Sequence, residues 1–483
     1  MLPILTVEQM REWERATWAT GQTEQNVIKL VGQRIAEHLL ELSHSGDEIW
    51  IIAGRGHNGD DARAALPGLT DLKCELLDVS NPVVGFSEFS TKLQRRGVRK
   101  PDWIVDGLFG IGLSRPLDDQ WKKLIEALNN SGVPIAAVDV PSGLNANTGL
   151  PEGAAIRAEV TFTVGAPKIG FLKGTDYTGR VEVLTDVGFA PNSFDSETEF
   201  GWVMPEDFAG LPPRRPAGGN KGTFGHAAIF AGSRGYHGAA VLSSWGALRA
   251  RPGLVTVYPQ ENAYVPVASQ LQAAMVQPWH ARKPHAKNCT ALLFGPGLAA
   301  DDVSDAMKSE MRQNWRSSPL AMIVDASALD WLKPGSTPLN AIRVITPHPG
   351  EAGRLLETDA KSIQADRPAA LREISKKFGG CCVVLKGQQT LVGQATGKIS
   401  VNSSGNPWLA QGGSGDLLSG YLTGLLAQPD LQRDSLMAAR YAVWQHGAAA
   451  DLLSRTRANW TLSELAQSLG EVSASRSARR SPG

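Results

Sequence analysis

Short and almost wholly apolar segments, many ending in glycine, recur along this chain with helix-forming stretches between them. In the first half they read EIWIIAG (48–54), CELLDV (74–79), WIVDGLFG (103–110), PIAAVDV (134–140), VTFTVG (160–165) and RVEVL (180–184). Strands that are apolar on both faces must be covered on both, and a parallel sheet between two helical layers does this. Residues 7–42, with apolar spacing at Val27, Ile28, Val31, Ile35, Leu39 and Leu40, predict one or two opening helices. After VGFAPNSFDSETEF (187–200), which is polar, acidic and aperiodic, the alternation starts again. It runs through HAAIFAG (226–232), LVTVYP (254–259), ALLFGPG (291–297), AMIVDASAL (321–329), RVITPH (343–348) and CCVVLKG (381–387), then a hairpin around 390–401. The expected fold class is α/β, with three-layer αβα domains over residues 1–200 and 201–472 and a small basic tail over 473–483 expected to be disordered.

Two domains also suit 483 residues, more than one hydrophobic core usually organises. Lys+Arg and Asp+Glu balance at 48 each, so no global field gathers nucleic acid or an anionic membrane, and binding must come from local geometry. Cys74, Cys289, Cys381 and Cys382 lack zinc-type spacing, and the last two lie in an apolar strand where thiols are usually inert. The N-terminus turns charged before a signal-peptide core can form, and no apolar run is long enough to span a membrane. A soluble, reduced, cytoplasmic chain is expected.

The segment GNPWLAQGGSGDLLSGYLTGLLA (405–427) leads a glycine-rich turn, with Gly412, Gly413 and Gly415, into an apolar helix. Free amides and the helix dipole make such an N-terminus an anion site. Asp416 in its first turn is either a cap or a base that deprotonates a hydroxyl attacking a phosphoryl group. A second strand ends in Lys386 and Gly387 and turns through Gln388 and Gln389 to Thr390, suited to nucleotide phosphates or simply an ordinary strand exit. TPHPGE (346–351) places His348 between two prolines at a strand's carboxyl end, as a ligand-facing imidazole or a plain surface-loop histidine.

These motifs, with NKGTFGHAAIFAGSRGYHGAA, FGPGL and VDASAL, occur in the order and spacing of the ADP/ATP-dependent NAD(P)H-hydrate dehydratase family, which residues 205–455 resemble. The resemblance implies a ribokinase-like domain that phosphorylates the ring hydroxyl of the S-epimer of hydrated NADH or NADPH (NADHX, NADPHX). Loss of phosphate then restores the dihydropyridine. It implies Asp416 as the base, Lys386 to Thr390 and Gly415 as nucleotide contacts, and Ala239, Gly297 and His348 as the hydrate pocket. Magnesium is expected with the phosphates, and Asp325 is open to a polar, metal-organising or capping role. Leu409, Gln411 and Arg251-Pro252 depart from the family pattern.

In the first half AGRGHNGDDARAA (53–65), DGLFGIGLSR (106–115) and VDVPSGLNANTG (138–149) each combine glycine with Asp, Asn or Ser at a strand end. In a parallel sheet they share one edge, where a phosphate-bearing ligand and a hard cation both fit. Residues 5–190 resemble the NAD(P)H-hydrate epimerase domain, a Rossmann-like unit. That resemblance implies potassium on Asn58, Asp106 and Ser142. It also implies hydrate contacts from His57, Asn58, Gly59, Asp60, Asp61, Gly110, Ile111, Gly112, Leu113, Ser114, Arg115 and Asp139, with Asp139 handling the proton. The family's GNNGGDG loop reads GHNGDDA here, and its LMENAG-like stretch reads VIKLVGQ. An added carboxylate near a diphosphate repels it, and glycine positions can require positive φ. The expectation is thus a bifunctional hydrate-repair enzyme acting on NADHX and NADPHX with ADP or ATP as a homo-oligomer. The alternatives are a small-molecule kinase of the ribokinase superfamily and an N-terminal half that only binds or senses.

Overall fold

The computed structural model describes residues 1–94, 99–191, 198–280, 288–338 and 340–472. The tail over 473–483 lies outside the described residues, as does 192–197 of the polar stretch. Contacts divide the chain into one unit over Leu2–Thr198 and another from Glu199 onward.

In the first unit six strands, β1 (Glu48–Ala53), β2 (Lys73–Asp78), β3 (Trp103–Gly107), β4 (Ile135–Val138), β5 (Val160–Val164) and β6 (Arg180–Leu184), form a sheet in the order β2-β1-β3-β4-β5-β6. Every pairing is parallel. The opening helices are α1 (Val7–Ala19) and α2 (Glu24–Leu42), followed by α3 (His57–Ala64), α4 (Pro82–Gln94) and α5 (Asp119–Asn129). Thr6 and Thr23 cap α1 and α2 by accepting the Gln9 and Asn26 amides, and Gly21 (φ +89°) turns the chain between them. Strand β1 shows why its sequence reads apolar throughout. Ile49, Ile51 and Ala53 join one core with Val31, Ile35 and Leu39 of α2, while Trp50 and Ile52 join another with Phe89, Leu124 and Leu128 of α4 and α5. From β1 the chain passes to β2 on one side and then to β3 on the other, and ligands bind at such a reversal of strand order. Asn58, at the start of α3, and Asp106, near the end of β3, lie at that reversal.

The second unit repeats the device. Its strands are β7 (Phe200–Trp202), β8 (His226–Phe230), β9 (Leu254–Val257), β10 (Met275–Val276), β11 (Ala291–Phe294), β12 (Ala321–Val324), β13 (Arg343–Ile345), β14 (Cys382–Leu385), β15 (Leu391–Gly393) and β16 (Ile399–Val401). Their order is β7-β16-β15-β14-β13-β12-β11-β8-β9-β10, parallel from β14 to β10 and antiparallel through the hairpin β15–β16. The short strands β7 and β10, of three and two residues, carry no periodicity that a sequence reading could find. Strand order reverses between β8 and β11. The helices that matter here are α6 (His237–Arg249), α7 (Asp305–Ser317), α8 (Pro349–Leu356), α9 (Arg367–Lys377), α10 (Ser414–Leu426) and α11 (Ser435–Thr456). Ile229, Leu293, Ile323, Val344 and Val384 share a core with Ala240 and Ala247 of α6, Leu417 and Tyr421 of α10, and Ala442 and Trp444 of α11. Among the described residues no helix is long and apolar enough to cross a membrane.

Helix α10 is held against α6 by direct approach of backbone to backbone. A Cβ on Gly420 would lie 1.9 Å from the Ser243 carbonyl oxygen, one on Gly246 2.1 Å from that of Leu417, and one on Gly424 2.5 Å from that of Ala247. Helix propensity alone favours alanine over glycine by about 1 kcal/mol, but atoms at these separations overlap and the helices would have to part. Gly420→Ala is therefore expected to destabilise the protein by roughly 1–3 kcal/mol, read as a lower urea midpoint. An unchanged midpoint would show that the crossing yields freely.

Candidate active sites

The glycine turn of the second unit works as its sequence suggests. Gly413, at φ +100°, is the N-cap of α10 and no side chain caps the helix. Asp416 lies in the first turn without capping it. Lys386, at the end of β14, extends over this helix start, so that a Cβ on Gly415 would be 3.1 Å from its Nζ. The ammonium is 3.0 Å from Asp325 Oδ1 and 3.7 Å from Glu351 Oε2. Adjacent strands β12, β13 and β14 thus deliver Asp325, Glu351 and Lys386 to one sheet edge. Asp325 makes no capping hydrogen bond for the turn that follows it; its carboxylate takes the lysine instead.

Burial raises the Asp416 carboxyl to about 7, the nearby Asp325 and Glu351 add to this, and Lys386 offsets part of it. Burial works against the Lys386 ammonium, yet Asp325 and Glu351 outweigh it and leave its pKa raised. Glu351 is set by its own helix. His348 caps α8, its Nδ1 accepting the Gly350 and Glu351 amides at 3.1 and 3.4 Å, while Glu351 Oε2 accepts the His348 amide at 2.8 Å. An Nδ1 that accepts leaves the proton on Nε2, and the imidazole remains half exposed.

The structure brings Ala239 and Gly297 together: at Gly297 (φ +64°) a Cβ would meet the Ala239 Cβ at 2.9 Å and the Tyr236 carbonyl oxygen at 2.3 Å. In the turn after Lys386, Thr390 Oγ1 donates to the Gly387 carbonyl at 2.8 Å. Buried Arg367 donates to the carbonyls of Gln388 at 2.6 Å and Leu385 at 3.1 Å, and burial lowers its pKa to about 10. Gln389, at φ +52°, has both amide side-chain atoms buried without a partner among the described residues. Behind the glycine turn, His446 lies 3.4 Å from Ser414 Oγ, and burial lowers its pKa to about 4. Sequence reading missed Glu351, Arg367 and His446. Only Glu351 had a local signal, its capping-box spacing from His348.

In the first unit Asp106 has no exposed surface. Its Oδ1 accepts the Ser142 hydroxyl at 2.6 Å and the Leu108 amide at 3.2 Å, and its Oδ2 accepts the Ser142 amide at 2.8 Å. Burial raises its pKa to about 6 against those hydrogen bonds. Ser142 also accepts the Phe109 amide at 2.8 Å, joining the second and third loops. Asn58 has both amide atoms buried and unpartnered among the described residues, and a Cβ on Gly110 would lie 3.2 Å from its Oδ1. Ile111 and Leu113 are half-buried, whereas Gly112, Ser114 and Arg115 are exposed.

Asp139, at φ +59°, is bonded to Lys168 Nζ at 2.5 Å, a partner that the sequence did not announce. Burial raises the pKa of Asp61 far above the usual range, with further repulsion from Asp139, Asp60, Glu14 and Glu24. Glu14 of α1 is raised by burial and by Asp139, partly offset by Lys168. The altered loop residues find partners: His57 Nε2 is 3.1 Å from Glu24 Oε1, and Asp60 Oδ1 is 2.9 Å from Arg63 Nη1.

Fold and sites define a class: two α/β units built on parallel strands, one with an uncapped helix start beside a partly buried carboxyl, the other with Asp106, Ser142 and Asn58 gathered at its strand reversal. Residues 227–473 match the NAD(P)H-hydrate dehydratase family, and residues 77–170 match the family described as YjeF-related protein N-terminus. The second match contains Asp106, Asp139, Ser142 and Lys168 but begins after the altered loop. The chain is 33% identical to the bifunctional NAD(P)H-hydrate repair enzyme Nnr of Gloeobacter violaceus, over 92% of each chain. It is 35% identical to the enzyme of that name from Escherichia coli, over 73% of this chain and 67% of the other. The ADP/ATP-dependent NAD(P)H-hydrate dehydratase of Bacillus subtilis, co-crystallised with ATP and Mg2+, superposes with a TM-score of 0.50 at 28% identity, covering 56% of this chain and 97% of that one. The chain belongs to the family of bifunctional NAD(P)H-hydrate repair enzymes, and its fold class is the α/β arrangement expected from sequence.

The raised Asp416 carboxyl has a consequence for stability. A folded-state pKa of about 7 against an ordinary value of 3.8 means that the native state holds a proton which the unfolded chain releases between those values. The stabilisation is complete below the lower value and is lost as pH rises through the upper one. Asp416→Asn, which cannot ionise, is expected to be more stable than the parent at pH 8, by a few kcal/mol at most given about 1.36 kcal/mol per pKa unit. A thermal midpoint at pH 8 equal to or below the parent's would show that the charge is fully compensated.

Proposed function

We propose that the second unit, over 201–472, dehydrates the S-epimer of NADHX and NADPHX at the expense of ADP or ATP, and that the first, over 1–200, interconverts the R and S epimers. What carries the reading is the placement of Lys386 over the start of α10 with the partly buried Asp416 beside it. Helix amides and the ammonium suit a nucleotide's phosphates, and Asp416 takes the ring hydroxyl's proton as that oxygen bonds to phosphorus. The bridging P–O bond breaks to leave the shortened nucleotide. Phosphate then departs from the ring, a far better leaving group than hydroxide, and loss of a proton from the adjacent ring carbon re-forms the double bond of the dihydropyridine. Lys386, Gly387, Gln388, Gln389, Thr390 and Gly415 hold the nucleotide in this reading, and the unpartnered Gln389 amide supports a polar ligand at that turn. Ala239, Gly297 and His348 face the hydrate.

The nearest oxygen donors for Mg2+, Asp325 and Glu351, are engaged with Lys386. The cation's place would be on the nucleotide's phosphates, where it would neutralise charge. Potassium fits the first unit: Asn58 has an unpartnered amide oxygen, Asp106 a buried carboxylate and Ser142 a hydroxyl. These residues would hold it as a fixed positive charge. Asp139 moves the proton there, and His57 to Asp61 with Gly110 to Arg115 border the hydrate. A cytoplasmic setting and a homo-oligomeric assembly belong to the same reading.

Recovered NADH absorbance tests it, with the two epimers and ADP or ATP supplied separately. Asp416→Asn is expected to slow consumption of S hydrate by at least about 100-fold, the usual scale for loss of a general base, while R/S exchange continues. Asp139→Asn is expected to do the converse. Parent protein that consumes S hydrate alone would remove epimerisation from the reading, and a stable phosphorylated product without NADH would replace dehydration by kinase activity.

A further inference from the structure

Lys168 is a charged side chain with no exposed surface, and the functional reading above gives it no part. Its Nζ donates to Asp139 Oδ1 at 2.5 Å, Thr163 Oγ1 at 2.9 Å and the Val164 carbonyl at 3.0 Å. Three acceptors match the three hydrogens of an ammonium group. The contact with Asp139 is a salt bridge, and such a charge-assisted bond fixes where the carboxylate lies.

Asp139 is held on every side but one. Its backbone sits at φ +59°, a region that side chains disfavour, and its amide is tied to the Phe162 carbonyl at 2.8 Å. Oδ1 takes both Lys168 and, at 3.2 Å, the Val164 amide. Among the described residues no donor is bonded to Oδ2, and 12% of the side chain is exposed. One oxygen is pinned by two donors and the other is left without one. Glu14 of α1 and Asp61 of α3 also act electrostatically on this place, together with His57 and Arg11, and neither of those two carboxyls is hydrogen-bonded to the lysine.

We propose that Lys168 is a positioning residue for epimerisation, which holds the Asp139 carboxylate by Oδ1 and turns Oδ2 toward the hydroxylated ring carbon. Fully buried, it touches no substrate and exchanges no proton; it acts through Asp139. This rests on the assignment of Asp139 as the proton-handling group, and the test separates the two.

In the full-length chain, R/S exchange of NADHX without nucleotide is followed chromatographically for Lys168→Met, Asp139→Asn and the double variant. Lys168→Met is expected to lower kcat at least 100-fold with KM within threefold of the parent, and in the Asp139→Asn background to cost nothing further. Exchange within threefold of the parent in folded Lys168→Met overturns the proposal while leaving Asp139 in place. Parent-like exchange in Asp139→Asn overturns the underlying assignment instead. Propylammonium should restore Lys168→Ala at least tenfold and 1-propanol should not. Equal rescue by both, or by neither in a folded protein, overturns the charge role. Should neither lysine variant fold, Thr163→Val, which removes one acceptor from the ammonium, is expected to lower kcat about tenfold at constant KM, and a parent-like kcat there overturns it.

Discussion

A lysine withdrawn from solvent at the carboxyl edge of a parallel sheet, and answered there by carboxylates, is the interaction on which both sites depend. In the second unit it is Lys386 with Asp325 and Glu351; in the first, Lys168 with Asp139. Neither partner can be removed alone without leaving a charge that low-dielectric surroundings do not solvate, so each group fixes the rotamer of the other. The sheet makes the meeting possible. Parallel strands end side by side at one edge, so residues far apart in sequence arrive within hydrogen-bond reach.

The same device leaves the two sites in different electrical states. Around Lys386 the ammonium is committed to Asp325, and Asp416 is left as the carboxyl that burial and its neighbours raise to about 7. A group poised there changes protonation near neutral pH, as a base that must accept and later release a proton should. Around Lys168 the carboxyl that takes the cation is Asp139 itself, while Asp61 and Glu14 are pushed up by burial and by Asp139's charge. In one site the lysine's hydrogen bond goes to a neighbour of the chemical carboxyl; in the other it goes to that carboxyl itself.

What the sequence disclosed follows from range. Strands such as Glu48–Ala53 and Ala291–Phe294 were legible because burial on both faces writes itself into consecutive residues. The turn at Gly413 and the carboxyl at Asp416 were legible because glycine, turn and helix start lie within a few positions. Lys168 and Asp139 are 29 residues apart, and Lys386 and Asp325 are 61 apart, so their pairing exists only once strands are laid beside one another. Arg367 was invisible for the same reason: its work is to bind carbonyls of Leu385 and Gln388, 18 and 21 residues away, on a strand exit that carries no pattern pointing back to it. Of the roles left open for Asp325, capping followed a local rule, whereas a long-range partner, Lys386, takes its carboxylate.

The loop GHNGDDA shows how far a departure from pattern reaches into geometry. Of its glycines, Gly59 cannot change: a Cβ there would lie 2.1 Å from the Gly54 carbonyl oxygen. Gly59 is retained. Asp60 and Ala62, standing where glycine is usual, both sit inside α3 with ordinary helical backbone, so neither position needs the positive φ that glycine supplies. Ala62 is buried beside Gly107, the residue that leaves space for its methyl group, since a Cβ on Gly107 would come within 2.6 Å of it. The added carboxylate of Asp60 meets Arg63, which also bonds Asp78 and the Gly54 carbonyl. Its repulsion on a diphosphate is offset one helical turn away, as an i,i+3 pair allows. The close approach of strand end to helix start is intact, and the Asn58 amide is buried and without a partner among the described residues. The substitutions change the charge at the rim of this pocket while its oxygen donors and its backbone path stay in place.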